Sequence, residues 1–175
     1  YVDDVRVWLA RFEVPPVLVG HSMGGLVIQH LLMRGLEVPG AVLLAPCPHF
    51  GTVGVAWRTL TRRPRTTLKI ISGRGVHPLV TNPEPDGTTF FSPRLSHQQQ
   101  QRYISRFVPE SFPAVGVDML FLDLPRPQPP TSPLLVMGGQ YDTLFPPGEI
   151  QRTAQAYGTR AVIVADLGHE MMLDP

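Results

Sequence analysis

Four short apolar runs punctuate the chain, each ending in glycine, proline or a polar turn: Val17 to Val19, Ala41 to Ala45, Leu134 to Met137 and Ala161 to Ala165. Runs of this length without polar alternation predict buried strands, the habit of a parallel sheet. Between them the spacing changes to that of helices. Val2, Val5, Leu9 and Phe12 share one face, with Trp8 beside it, which predicts a helix over 2–12. Asp3 and Asp4 suit its N-terminal end, Arg11 its C-terminal end, and Pro15 and Pro16 stop it. A second helix is expected from Gly24 to Arg34, apolar at Leu26, Val27 and Leu31, with Gly35 as its C′ residue. Another opens at Pro146 or Pro147, runs to about Tyr157 and stops at Gly158. The alternation predicts an α/β fold, a mostly parallel sheet with flanking helices.

The middle of the chain breaks that rhythm. Ser96 and Gln99 form a capping box that predicts a helix from Ser96 to Val108, apolar at Tyr103, Ile104 and Phe107 and ended by Pro109. A second helical segment is expected from Ala114 to Leu124, before the prolines at 125, 127, 129 and 130, while Thr81 to Gly87 reads as loop. About 80 residues between two core strands exceed an ordinary connection, so a cap or lid over a site is expected. Phe90, Phe91, Tyr103, Phe107, Phe112 and Phe121 argue against a disordered insertion. The expected organisation is a core over 1–46 and 131–175 with a mainly helical cap inserted over 47–130.

Composition narrows the partners more than the fold. With 43% hydrophobic and 17% charged residues over 175 positions, the chain suits one globular domain. A net charge of +1 argues against a nucleic-acid partner held by phosphate contacts. Arg58, Arg62, Arg63, Arg65 and Lys69 are interleaved only with Trp57 and read as a solvated face. No run approaches the ~18 apolar residues of a membrane span, and no signal peptide is visible, which favours a cytoplasmic setting for this segment. The single Cys47, between Pro46 and Pro48, reads as an inert thiol, and the pattern calls for no cofactor and no metal.

The chemistry follows the first apolar run. Gly20-His21-Ser22-Met23-Gly24 leads at once into helix-forming residues, the form of a nucleophile elbow that lifts a hydroxyl above a sheet. Gly20 and Gly24 are expected to let the backbone pass close to itself, and the helix N-terminus under Ser22 favours developing negative charge. Ser22, Asp142 and His169 each fall just past the C-terminal end of a predicted strand, where open α/β sheets bind ligands. A serine hydroxyl needs a base; imidazole, with a pKa near ~6.5, takes the proton and returns it, and a carboxylate fixes its tautomer. Several alternatives fit less well. His21 neighbours the serine but is expected to turn away, and His30 lies inside a helix. His49, His77 and His97 fall in the cap, within reach of substrate at most. Asp166 is too near His169 in sequence to reach around its ring, and Asp118 or Asp123 serves only if the cap folds back.

Gly-His-Ser-Met-Gly-Gly at 20–25, Gly-Gly-Gln-Tyr-Asp-Thr-Leu-Phe-Pro-Pro at 138–147 and Leu-Gly-His-Glu-Met-Met at 167–172 resemble the α/β-hydrolase superfamily, most of all its lipase- and esterase-like branch with a helical cap. The resemblance implies hydrolysis of a hydrophobic small-molecule ester through an acyl-enzyme. Ser22 would be the nucleophile, Asp142 the acid, His169 the base and the Met23 backbone N–H one oxyanion donor, with His21, Met171 and Met172 beside the substrate. Thioester, carbon–carbon bond and perhydrolase chemistry on the same residues remain open, as does a non-catalytic binding module. The family's strands ahead of the elbow, and the loop that supplies a second oxyanion donor, are not in this sequence, and the helix after His169 is short. The full-length relative is therefore expected to be competent and this segment alone weak or unstable. Its strand at 17–19 would form an apolar edge open to pairing with another chain.

Overall fold

The computed structural model describes residues 1–62, 64–69, 90–108, 118–120 and 123–175. Four parallel strands, β1 (Leu18–His21), β2 (Ala41–Leu44), β3 (Leu134–Gly139) and β4 (Ala161–Val164), lie side by side in chain order. The register aligns His21, Leu44, Met137 and Val162 in one row, so the C-terminal ends open along a common rim. Helix α2 (Met23–Met33) covers β1 and β2, and helix α6 (Pro147–Ala156) covers β3 and β4. Leu26, Ile28, Ile150 and Ala154 from these helices meet Leu43 and Val136 in the core. Full burial of each larger side chain contributes about 1.5–3 kcal/mol.

Among the described residues these helices cover one face. On the other, Val19 is 63% and Val162 46% exposed, with Val17 and Leu135 also open. The first strand is thus not buried as its apolar run suggests: its residues alternate, and Val19 lies on the uncovered face. The strand also starts one residue later and runs through the first two residues of the elbow.

Local chemistry accounts for the helix ends. Gly35 sits at φ 77°, where Leu36 N–H bonds to Leu31 O and Gly35 N–H to Leu32 O, each at 3.0 Å, the paired closure expected of a C′ glycine. Helix α1 (Val2–Leu9) packs on α2, where Arg34 meets Asp3 at 3.0 Å. It stops before residue 12 because Arg11 and Phe12 bond three residues back, to Trp8 and Leu9. Two helices that sequence reasoning missed, α3 (Val53–Arg62) and α4 (Pro64–Lys69), follow β2. Helix α5 (His97–Ile104) has the expected Ser96–Gln99 capping box. It ends short of Val108 because Ser105 Oγ bonds back to Arg102 O at 3.0 Å, competing with the next turn. Of the helical segment expected at 114–124, a single turn at 118–120 is described. Arg63, His77, the Thr81–Gly87 loop, Phe112 and Phe121 lie outside the described residues. No helix among the described residues is long and apolar enough to cross a membrane.

Candidate active site

Between β1 and α2 the chain turns at Ser22, whose φ of 52° and ψ of −115° a side chain adopts only under strain. Backbone bonds hold it there: Ser22 N–H donates to Leu44 O, and Ser22 O accepts from Cys47 N–H and Gly25 N–H, each at 3.0 Å. The close approaches fall on two glycines. A Cβ on Gly20 would lie 2.5 Å from Gly24 O, and one on Gly25 would lie 2.7 Å from Pro46 Cβ. A Cβ on Gly24 would meet nothing within 4 Å, so the tight packing expected there belongs to Gly25. Ser22 is the N-cap of α2, its side chain caps nothing, and Met23 is the first helical residue. The first N–H groups of such a helix have no intrahelical acceptor.

The loops after β3 and β4 are pressed together. Gln140 N–H donates to Val164 O at 2.9 Å and Tyr141 N–H to Leu167 O at 2.8 Å. A Cβ on Gly139 would lie 2.3 Å from Gly168 O. Across this seam His169 Nδ1–H donates to Asp142 Oδ2 at 2.9 Å, with both side chains buried. The other carboxylate oxygen accepts from Leu144 N–H at 2.9 Å and Phe145 N–H at 2.8 Å. Burial opposes charge on His169, but the Asp142 carboxylate, by its charge and its hydrogen bond, outweighs it, and Glu170 adds to the effect. The net result holds His169 above the ordinary imidazole pKa. With Nδ1 committed to Asp142, Nε2 is the ring nitrogen left for chemistry.

Residues 1–175 match the model of the Alpha/beta hydrolase family. The chain belongs to that family. A 52-residue stretch is 38% identical to phospholipase YtpA of Bacillus subtilis, covering 27% of this chain and 20% of that protein. The structure of BpoC from Mycobacterium tuberculosis H37Rv, described as a candidate non-heme bromoperoxidase, is similar with a TM-score of 0.69 and 21% identity, over 96% of this chain and 65% of that one. The esterase RhEst1 of Rhodococcus sp. ECU1013 is similar with a TM-score of 0.64 and 18% identity, over 99% of this chain and 66% of that one. Identities this low speak for the fold. The chain spans about two thirds of the length of these structures and a fifth of the phospholipase.

Around His169 this α/β hydrolase assembles residues from four parts of the chain. The rings of His21, Phe145 and Phe90 lie 4.8, 5.2 and 6.1 Å from its centroid. His21 Nε2–H donates to the His169 backbone O at 2.9 Å, so its ring braces the loop of His169. Burial, and then the neighbouring His169 charge, push the His21 pKa down and keep it a neutral donor. Phe90, from the middle of the chain, accepts from Glu170 N–H at 2.8 Å. The Asp174 carboxylate gathers Gly168 N–H, Ser92 N–H and Ser92 Oγ–H. Asp174 and the Phe90–Ser92 stitch had no signal in the sequence, since their partners lie far apart along the chain.

The remaining candidates fall elsewhere. Met171 is half-buried and Met172 exposed in the turn after His169. His30 is buried and donates to Asp123 O at 3.2 Å. His49 is half-buried, with its pKa lowered by burial and by Arg152. Asp166 pairs with Arg94 at 3.3 Å. The buried Cys47 thiol is pushed far above its ordinary pKa by burial and by Glu149. His21, His169 and Glu170 bring ligand-type atoms within 4.8 Å of one another, although one nitrogen of each imidazole is already hydrogen-bonded. Among the described residues no hydrogen bond joins Ser22 Oγ to His169.

Proposed function

We propose that this α/β hydrolase is a serine hydrolase that cleaves carboxylic esters through an acyl-enzyme. The observation that carries the reading is the 2.9 Å bond between buried His169 and Asp142, at the same strand-end rim as the strained Ser22. Ser22 Oγ attacks the ester carbonyl carbon while His169 Nε2 takes the hydroxyl proton. The oxygen that becomes negative is met by the Met23 N–H and the positive end of α2. The tetrahedral species then expels the alcohol, which receives the proton from His169. Water repeats the sequence and frees the acid and Ser22. Asp142 holds the tautomer and the imidazolium in place throughout.

A hydrophobic ester is favoured by Phe90, Phe145 and Met171 near His169, and by similarity to a phospholipase and an esterase. Residues 47–130 act in this reading as the cap over a core of 1–46 and 131–175. Support comes from the bonds that tie Phe90 and Ser92 to the His169 loop. The mechanism calls on no metal and no cofactor.

The test is covalent labelling with a fluorophosphonate. The wild-type chain is expected to label and Ser22→Ala to remain unlabelled at equal thermal stability. Equal labelling of both, or none in folded wild type, overturns the reading. Labelling without release of nitrophenol from short-chain esters transfers it to another acyl chemistry on the same residues.

A further inference from the structure

Beside the proposed base lies a set of donors that hydrolysis does not use. His21, His169 and Glu170 bring two ring nitrogens and a carboxylate oxygen within 4.8 Å of one another. They meet because β1 ends at His21 on the rim where the loop after β4 carries His169 and Glu170 in succession. The two rings stand 4.8 Å apart between centroids, tilted by 50°. The Glu170 carboxylate is near enough to act on the charge of both rings. Among the described residues no hydrogen bond or ion pair holds that carboxylate.

Two imidazoles and a carboxylate suit zinc, whereas magnesium and calcium favour sites built of oxygen. The shell behind the donors separates this cluster from a chance meeting. A ligating imidazole ordinarily donates its other N–H to a carboxylate or a backbone carbonyl, which fixes the ring and leaves a lone pair on the far nitrogen. Both rings are held in that way. His169 Nδ1–H donates to Asp142 Oδ2 at 2.9 Å, and His21 Nε2–H to His169 O at 2.9 Å. Each ring therefore keeps one nitrogen for a metal. His169 is buried, but His21 and Glu170 are only half-buried, which gives an ion a way in from solvent.

We propose that His21, His169 and Glu170 form a zinc site that switches this hydrolase off. The ion takes the lone pair of His169 Nε2, His21 and the Glu170 carboxylate complete three protein ligands, and solvent fills the fourth position. Donors around a tetrahedral zinc stand about 3.3 Å apart, so binding draws His21 and Glu170 inward onto His169, which Asp142 holds fixed. A metal-bound Nε2 has no lone pair left to accept the Ser22 proton, so the ion and the reaction compete for one atom. Binding of the ion stands on the three donors alone. Only the inhibition rests on the reading of His169 as the base.

Binding is measured by calorimetric titration of the full chain with Zn²⁺, and with Co²⁺ as a visibly absorbing replacement. One Zn²⁺ per chain is expected in wild type and in Ser22→Ala, with no response to Mg²⁺. Glu170→Gln keeps the size of a half-buried side chain and removes its charge, and binding is expected to weaken about tenfold or more. Asp142→Asn, behind His169, should weaken it by a similar factor. His97→Ala, which removes an exposed imidazole on α5, should leave binding unchanged. Zn²⁺ should also slow fluorophosphonate labelling of wild type, EDTA should restore it, and Glu170→Gln should need about tenfold more Zn²⁺ for the same effect. No saturable binding by folded wild type overturns the proposal. So does binding undiminished in both Glu170→Gln and Asp142→Asn, which places the ion elsewhere. Zinc bound at these residues with labelling unchanged overturns the switch. A wild type that binds zinc but never labels overturns the role given to Ser22 and not the metal site.

Discussion

Asp142 is held through both of its oxygens: one takes two backbone N–H groups and the other takes the imidazole. A carboxylate fixed on three sides cannot follow a ring that moves, so His169 is oriented and not merely neutralised. The pH dependence follows from the same geometry. In the proposed mechanism His169 is the base and works only when neutral; it is held above ordinary imidazole, against the pull of burial, by Asp142 and then by Glu170. The rate of fluorophosphonate labelling should therefore rise with pH to a midpoint above ~6.5. Asp142→Asn removes the charge and leaves burial in control. Its midpoint should fall below that of wild type, and its plateau rate should drop about 10³–10⁴-fold because the wrong tautomer is favoured. Stability carries the opposite sign of pH dependence. The folded pKa is raised, so the pair's contribution is complete below the unfolded imidazole value and is lost as pH rises through the folded one. Thermal melts of wild type should decline across that window, and those of Asp142→Asn should not.

Helix α3 reaches this site through one side chain. Arg58 bonds Glu149 on α6 and the carbonyl of Leu144, whose own N–H holds Asp142. Arg58→Met would strand the Glu149 carboxylate, which is largely buried. A loss of about 2–3 kcal/mol in urea unfolding is expected, with part of it recovered by adding Glu149→Gln. An additive double mutant would show that the pair does not couple. This contact also explains what could be read from the sequence. Helix α2, its Gly35 cap, the Ser96–Gln99 box and α6 announce themselves through neighbours within a few residues. The triad candidates are legible for the same reason, each following its own apolar run. Helix α3 has its larger apolar residues, Val53, Val55, Trp57 and Leu60, split between two sides, and its inward anchor is a charge whose partner lies 91 residues away. Asp174 and Ser92, 82 residues apart, are invisible on the same grounds. The misplaced close approach at the elbow is subtler. Gly24 and Gly25 are adjacent, and only the position of Pro46 after β2 decides which of them must lack a Cβ.

Among the described residues the helices that pack on the sheet lie on one face, and this sets an expectation for the chain in solution. Parallel strands are stable when both faces are covered, yet α2 and α6 lie on the same face and Val17, Val19, Leu135 and Val162 are open on the other. Strand β1 has a hydrogen-bonding partner on one side only, among the described residues. Two routes to self-association follow: face-to-face burial of the apolar surface, and edge pairing at β1. They separate by position, because Val162 shares the open face but lies on β4, at the opposite end of the sheet from β1. Light scattering of the wild-type chain should show concentration-dependent association. If the face is responsible, Val19→Lys and Val162→Lys should each reduce it. If the edge is responsible, only Val19→Lys should act, since a charge there blocks strand addition. Wild type that remains monodisperse with a cooperative melt would show that neither route operates, and that the covered face alone stabilises the sheet.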